Sequence, residues 1–165
     1  MLGSFGVGKT SLVSQYVHSI FSEEYLSTVG VKIDRKTLRV DNETELGLVI
    51  WDIAGDDRFE RLHNSYLLGL SGFFLVIDGC RPETLKVARS ILVTMSKMLT
   101  GVPFVCLINK QDLEADWRVT DDDIAGLQAQ GWTVMKTSAK YGDTVEAAFD
   151  ALGKMLVDSP DRMIA

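Results

Sequence analysis

Hydrophobic and polar positions along this chain switch repeatedly between a spacing of about 3.6 residues and runs of strand length, and the switches mark its elements. Over residues 9–20, Leu12, Val13, Tyr16, Val17 and Ile20 fall on one helical face. Residues 31–40 and 45–52 are strand-like runs on either side of Asp41-Asn42-Glu43-Thr44, a turn composition that suits an antiparallel hairpin. The runs 72–78 and 102–109 are continuously apolar, as strands buried on both faces must be. Between them Ala88, Ile91, Leu92, Met95 and Leu99 recur at helical spacing. A helix over 120–130 is expected to be capped by Thr120 and stopped by Gly131, and a strand over 132–137 follows. The last helix opens on the capping-box-like pair Asp143 and Glu146 and buries Val145, Ala148, Phe149, Leu152 and Leu156.

Strand and helix alternate without repeats or a low-complexity linker, which predicts an α/β fold with a mostly parallel sheet covered on both faces. At 165 residues, 46% hydrophobic and 24% charged, the chain is expected to form one domain over residues 1–165, as a monomer. The net charge of −6 and the lack of a clustered basic patch argue against nucleic-acid binding. Cys80 and Cys106 lie at apolar runs without metal-ligand spacing, so buried reduced thiols are expected, which fits a reducing cytoplasm. With no apolar run of spanning length, no signal peptide, no Met-Gly start and no cysteine near the C-terminus, no direct membrane anchor is expected, and attachment would come through a partner.

The first candidate chemistry lies at the start of the chain. Gly3, Ser4, Phe5, Gly6, Val7, Gly8, Lys9 and Thr10 spell the Gly-x-x-x-x-Gly-Lys-Thr phosphate loop, running into the first helix through Ser11. Glycines let backbone amides converge on phosphate oxygens, the helix start adds a positive dipole end, Lys9 supplies a cation and the Thr10 hydroxyl can ligate Mg²⁺. Only Met1 and Leu2 precede the loop, whereas such loops follow a strand of about five residues. A short strand and a strand completed by upstream residues both remain open.

Further segments fall at strand ends or adjoining loops, where open α/β sheets bind ligands: Thr28, Asp52-Ile53-Ala54-Gly55, Asn109-Lys110-Gln111-Asp112 and Ser138-Ala139-Lys140. Asp112 discriminates among bases, because a carboxylate accepts two hydrogen bonds from the N1–H and exocyclic amine of guanine and finds no such donors on adenine. With charge-assisted bonds of about 1.5–3 kcal/mol each, a preference of roughly a hundredfold or more follows. Read singly, the segment around Asp112 is also an ordinary solvated turn.

Taken together these motifs resemble the Ras superfamily of small GTPases over nearly the whole chain, most nearly its Rab-like branch. Residues 25–33, Ile50-Trp51-Asp52-Ile53-Ala54-Gly55, Arg58-Phe59 and Ser65-Tyr66 correspond to the switch regions of that branch. The resemblance implies a P-loop NTPase fold of three layers, with a six-stranded sheet, one antiparallel edge strand, helices on both faces and a first strand nearly absent here. It implies a GTP- or GDP-binding switch that hydrolyses GTP with Mg²⁺ and meets an exchange factor, an activating protein and effectors. Thr10 and Thr28 would ligate the ion, Asp52 would hold it through water, and the Gly55 amide would sense the γ-phosphate. Phe21 would pack against guanine, Lys110 would cover the purine face, Ala139 would donate its N–H to the guanine oxygen beside Ser138, and Lys140 would flank the base. Asn109 would tie the base loop to the phosphate loop. The catalytic set would be Lys9, Thr28, Gly55 and the residue at position 56.

Three features depart from that pattern. Asp56 stands where most of the family has a glutamine that orients the attacking water; a shorter anionic side chain reaches the water less well and repels the γ-phosphate, so slow hydrolysis is expected. With Asp57 beside it, a solvated acidic turn is the other reading. Phe5 occupies a loop position the family keeps small, so its ring either swings outward or obstructs an incoming arginine. The chain carries no prenylation-type cysteine tail. Ile33, Trp51 and Tyr66 match the apolar triad that the branch displays to effectors. Neither His18 nor His63 has a metal-ligand neighbour, although His63 could hold water in the second switch. A module that binds GTP without turning it over and an ATP-dependent kinase stand as alternatives at this stage.

Overall fold

The computed structural model describes residues 1–24, 27–55, 67 and 69–159. In chain order the described elements are strand β1 (Leu2–Gly3), helix α1 (Lys9–His18), strands β2 (Val31–Arg39), β3 (Glu45–Ile53) and β4 (Phe73–Asp78), helix α2 (Glu83–Met98), strand β5 (Phe104–Asn109), helix α3 (Asp121–Gln128), strand β6 (Thr133–Lys136) and helix α4 (Gly142–Val157). A short 3₁₀ turn, Glu114–Asp116, lies between β5 and α3.

The strand periodicity sorts the core into two layers. On β4, Phe74 and Val76 pack with Leu12, Val13 and Tyr16 of α1 and with Val145, Ala148 and Phe149 of α4. Their neighbours Phe73, Leu75 and Ile77 face Ala88, Ile91 and Met95 of α2 and Leu127 of α3. β5 divides likewise, Val105 and Leu107 to the first layer, Cys106 and Ile108 to the second. Continuous apolar runs are thus two alternating sets read together.

β1, β4, β5 and β6 form a parallel four-stranded sheet in that order, while β2 and β3 form an antiparallel pair. The α/β fold class stands, but the single six-stranded ladder is corrected to four strands plus two. The reason is β1, whose two residues pair only Leu2 with Leu75 and Gly3 with Val76. So short a strand offers few backbone groups to β3; the Met1 amine donates to the Trp51 carbonyl at 2.7 Å. The hairpin turn is held by Asp41, whose carboxylate accepts the amides of Glu43 and Thr44, both at 2.8 Å.

Two helix boundaries also differ from expectation. α1 stops at His18 because Ser19 turns left-handed, φ 55°, and sends the chain off the helical path. Ile20 is consequently 59% exposed instead of continuing the buried face. α4 begins at Gly142 with Tyr141 at its cap and no side-chain cap, so Asp143 lies inside the first turn, and Glu146 pairs with Lys36 at 3.2 Å. α3 does carry a capping box, Thr120 with Asp123, and ends at Gln128, just before Gly131. Both cysteines are free; Cys106 is buried, which pushes its thiol up to about 12, whereas Cys80 is only half-buried because it sits in the turn after β4.

Candidate nucleotide site

Parallel strands deliver their C-terminal ends to one edge of the sheet. The register pairs Gly3 with Val76 and Asp78 with Asn109, so the phosphate loop leaves beside the ends of β4 and β5. The loop closes on Gly8, at φ 96°, where a Cβ would collide with the Asn109 side chain. No side chain caps α1, and amides at a helix start lack intrahelical acceptors, an arrangement that binds anions. The cleft in front is about 180 Å³, lined by Phe5, Gly6, Gly8, Lys9, Thr10 and Ser11 of the loop and by Thr28 and Gly55 from outside it. Phe5 is 46% exposed, so its ring borders both the cleft and solvent.

Lys9 is buried, and its ammonium donates to the Gly3 carbonyl at 3.0 Å and the Ser4 carbonyl at 2.8 Å. Gly55 reaches the same place from the end of β3. A Cβ there would stand 2.6 Å from Phe5 Cα and 2.7 Å from Lys9 Nζ, so glycine alone permits this approach.

Thr10, Thr28 and Asp52 converge from a helix, a loop and a strand. Thr10 Oγ1 lies 2.5 Å from Thr28 Oγ1 and donates to Asp52 Oδ2 at 2.6 Å. Asp52 is fully buried, and its second oxygen, Oδ1, has no hydrogen-bond partner among the described residues. An orphaned buried carboxylate oxygen beside two hydroxyls fits a hard, oxygen-loving cation such as Mg²⁺, which binds through few protein ligands, water and phosphate oxygens. No group of three His, Cys, Asp or Glu side chains suited to a metal occurs among the described residues.

The base-side motifs meet at Asn109. Its amide nitrogen donates to the Val7 carbonyl at 3.0 Å, while its oxygen accepts the Ala139 N–H at 3.2 Å and the Thr137 hydroxyl at 3.4 Å. Ser138 Oγ donates to Asp112 Oδ1 at 2.6 Å and accepts the Lys140 N–H at 3.1 Å, so the loops after β5 and β6 form one wall. Lys110 takes a left-handed φ of 74°, uncommon without glycine, and its ammonium pairs with Asp78 at 2.7 Å. Lys140 Nζ lies 3.4 Å from Glu23 Oε1, in the segment that carries the exposed Phe21.

Sequence reasoning missed Asp78 and Arg81. Asp78 Oδ2 takes both Lys110 and, at 2.8 Å, Arg81 Nε, while Oδ1 accepts the Cys80 amide at 2.9 Å. Burial alone would raise this carboxyl, but the bonds from Lys110, Arg81 and Cys80 outweigh it and hold it below the ordinary carboxylate value. Arg81 Nη2 continues to the Phe5 carbonyl at 2.9 Å. The signal available was an aspartate closing an apolar run, since a buried charge demands partners.

Ile33 and Trp51 are paired across the hairpin, Ile33 being 50% exposed and Trp51 half-buried. His18 lies 3.3 Å from Asp34 and serves no metal group among the described residues. Tyr25, Leu26, Asp56, Asp57, Arg58, Phe59, His63, Ser65 and Tyr66 lie outside the described residues. No described helix is long and apolar enough to cross a membrane.

A family model described as Ras family matches residues 1–158. Ras-related protein Rab-7b of Mus musculus is 36% identical over 157 residues, covering 92% of this chain and 78% of its own length. Ras-related protein Rab-32 of Homo sapiens is 34% identical over 157 residues, covering 90% and 69%. Ras-related protein Rab-1 of Theileria parva is 33% identical over 161 residues, covering 96% and 73%.

Proposed function

The chain belongs to the Ras family and is a GTP-binding switch GTPase, and from that premise we propose how its own residues carry the activity. It works as a single domain over residues 1–165, a Mg²⁺-dependent, slowly hydrolysing switch in cytoplasmic signal transduction. The observation that carries this reading is Asn109, whose side chain bonds the phosphate loop at Val7 and the loop after β6 at Ala139 at once. A polyphosphate and a base bound to those loops would be held as one ligand.

Backbone groups of Gly3, Ser4, Phe5, Gly6, Val7, Gly8 and Ser11 cradle the phosphates. Lys9 exchanges the neutral carbonyls of Gly3 and Ser4 for anionic phosphate oxygens, and charge-assisted bonds are about twice as strong as neutral ones. Thr10, Thr28 and Asp52 hold the metal site, with Asp52 Oδ1 the acceptor that the described residues leave unused. When bound, Mg²⁺ neutralises charge on the phosphates. Thr28 and the Gly55 amide are drawn inward by the γ-phosphate, and its loss releases both loops.

Asp112 accepts the guanine N1–H and amine, Ala139 donates to the guanine oxygen, and Lys110, Lys140 and Phe21 border the base. Ser138 keeps the Asp112 carboxylate in place through their 2.6 Å bond. Hydrolysis is slow because Asp56, in place of glutamine, is shorter and anionic, so that it orients water less well and repels γ-phosphate charge. Ile33, Trp51 and Tyr66 form the surface offered to effectors, and an exchange factor and an activating protein act at the loops beside it.

The test is the nucleotide that co-purifies, identified after acid release. A guanine nucleotide with a substantial GTP fraction is expected; an adenine nucleotide or none at all would overturn the reading. EDTA should accelerate GDP release, and a rate unchanged by chelation would remove the metal from the site.

A further inference from the structure

Arg81 links the buried end of β4 to the tip of the phosphate loop. Its Nε is anchored on Asp78 Oδ2 at 2.8 Å and its Nη2 donates to the Phe5 carbonyl at 2.9 Å. Asp78 is almost wholly inaccessible, so the anchor does not swing freely in water as a surface ion pair does. The same oxygen takes Lys110 at 2.7 Å. One carboxylate therefore supports both the base loop, through Lys110, and the phosphate loop, through Arg81.

The peptide unit that Arg81 grips fixes a second group. Phe5 and Gly6 share a planar trans peptide, in which the carbonyl and the following N–H point in opposite directions. Phe5 and Gly6 line the cleft and Arg81 does not, so Arg81 holds the carbonyl from outside. The Gly6 N–H is then turned away from Arg81. Gly6 has φ 70°, and without a side chain it has little of its own to resist rotation of that peptide.

We propose that Arg81 is a positioning residue: by pinning the Phe5 carbonyl it aims the Gly6 amide at the phosphates and so sets how tightly the nucleotide is retained. This rests on the nucleotide reading of the same cleft. The guanidinium fork is required, because one planar group reaches carboxylate and carbonyl together, whereas a lysine ammonium is a single point that cannot span both.

The test compares parent, R81Q and R81K proteins loaded with GDP and Mg²⁺. R81Q should release GDP about tenfold faster, the scale of one charge-assisted hydrogen bond. R81K should resemble R81Q and not the parent. The preference for GDP over IDP should be unchanged, since the base arm is intact, and the ³¹P resonance of the bound β-phosphate should shift in both variants. Should R81Q fail to fold, R81K carries the same comparison. Release as slow as the parent's with an unshifted β-phosphate, or full recovery in R81K, would overturn the proposal. A parent chain that retains no GDP would instead overturn the nucleotide reading beneath it.

Discussion

The Asn109 side chain bonds the Val7 carbonyl at 3.0 Å, joining residues 102 positions apart and locking the phosphate loop to the end of β5. Both ends of the amide meet complementary partners, the nitrogen a carbonyl and the oxygen the Ala139 N–H. Removing it leaves two buried backbone groups unpaired, at about 1–3 kcal/mol each. Asn109→Ala is therefore expected to speed GDP release by roughly tenfold or more and to lower the urea midpoint. Stopped-flow release of a fluorescent GDP analogue measures the first effect; parent-like kinetics would mean that the two loops are held by other contacts.

Base selectivity should follow Asp112. Asp112→Asn replaces an acceptor with a donor at the guanine amine, a mismatch that xanthine, with a carbonyl there, turns into a match. Affinity for GDP should fall at least about a hundredfold while xanthosine diphosphate gains, as competition binding would show. Ser138 would remain able to bond the asparagine oxygen, so the loop itself should persist.

Position 56 should control the chemical step. Asp56→Gln supplies a longer neutral group that orients water without repelling the γ-phosphate, and single-turnover GTP hydrolysis is expected to rise about tenfold, or ~1.4 kcal/mol in the barrier. Phe5 borders the nucleotide cleft, so Asp56→Gln combined with Phe5→Gly should exceed the single change, with effects that do not simply add if both side chains act at one reaction centre. An unaltered or lower rate in the single variant would remove Asp56 from the role of slow-turnover residue.

Acid stability should report Asp78. Its folded carboxyl lies below the ordinary value of 3.8, so its ionised form contributes stability fully above 3.8, and that contribution is lost as pH falls through the folded value. Asp78→Asn should lower the urea midpoint at pH 6, and the gap to the parent should narrow below pH 3.8 as the parent's carboxyl takes up its proton. A gap that stays constant down to pH 2.5 would show that the charge on Asp78 does not support the fold.

The legible part of the fold was the part written in short-range pattern. Val76 and Leu75 were apolar neighbours in the sequence, and their assignment to a doubly covered strand follows from the run alone, since no half-exposed strand tolerates it. Thr120 announced the α3 cap because the partner it needs, Asp123, is three residues away. Asp143 and Glu146 showed the same spacing and misled, because Tyr141 precedes the helix and Glu146 reaches Lys36 on β2 instead. Ile20 matched the helical stripe but falls after Ser19, whose left-handed backbone no periodicity reveals.

By itself the sequence determined the α/β class and the helix and strand types, and it carried the Gly3–Thr10 and Asn109–Asp112 patterns from which a nucleotide site is proposed. Each of these is encoded within a dozen or so neighbouring residues, where backbone geometry and side-chain spacing are coupled directly. Only the tertiary structure decided that Thr10 bonds both Thr28 and Asp52, that β3 ladders with β2 and not with β1, and that Arg81 reaches Phe5. Those contacts join residues from separate strands and loops, and their distances are set by sheet register and by the packing of two core layers, which no local stretch of chain contains.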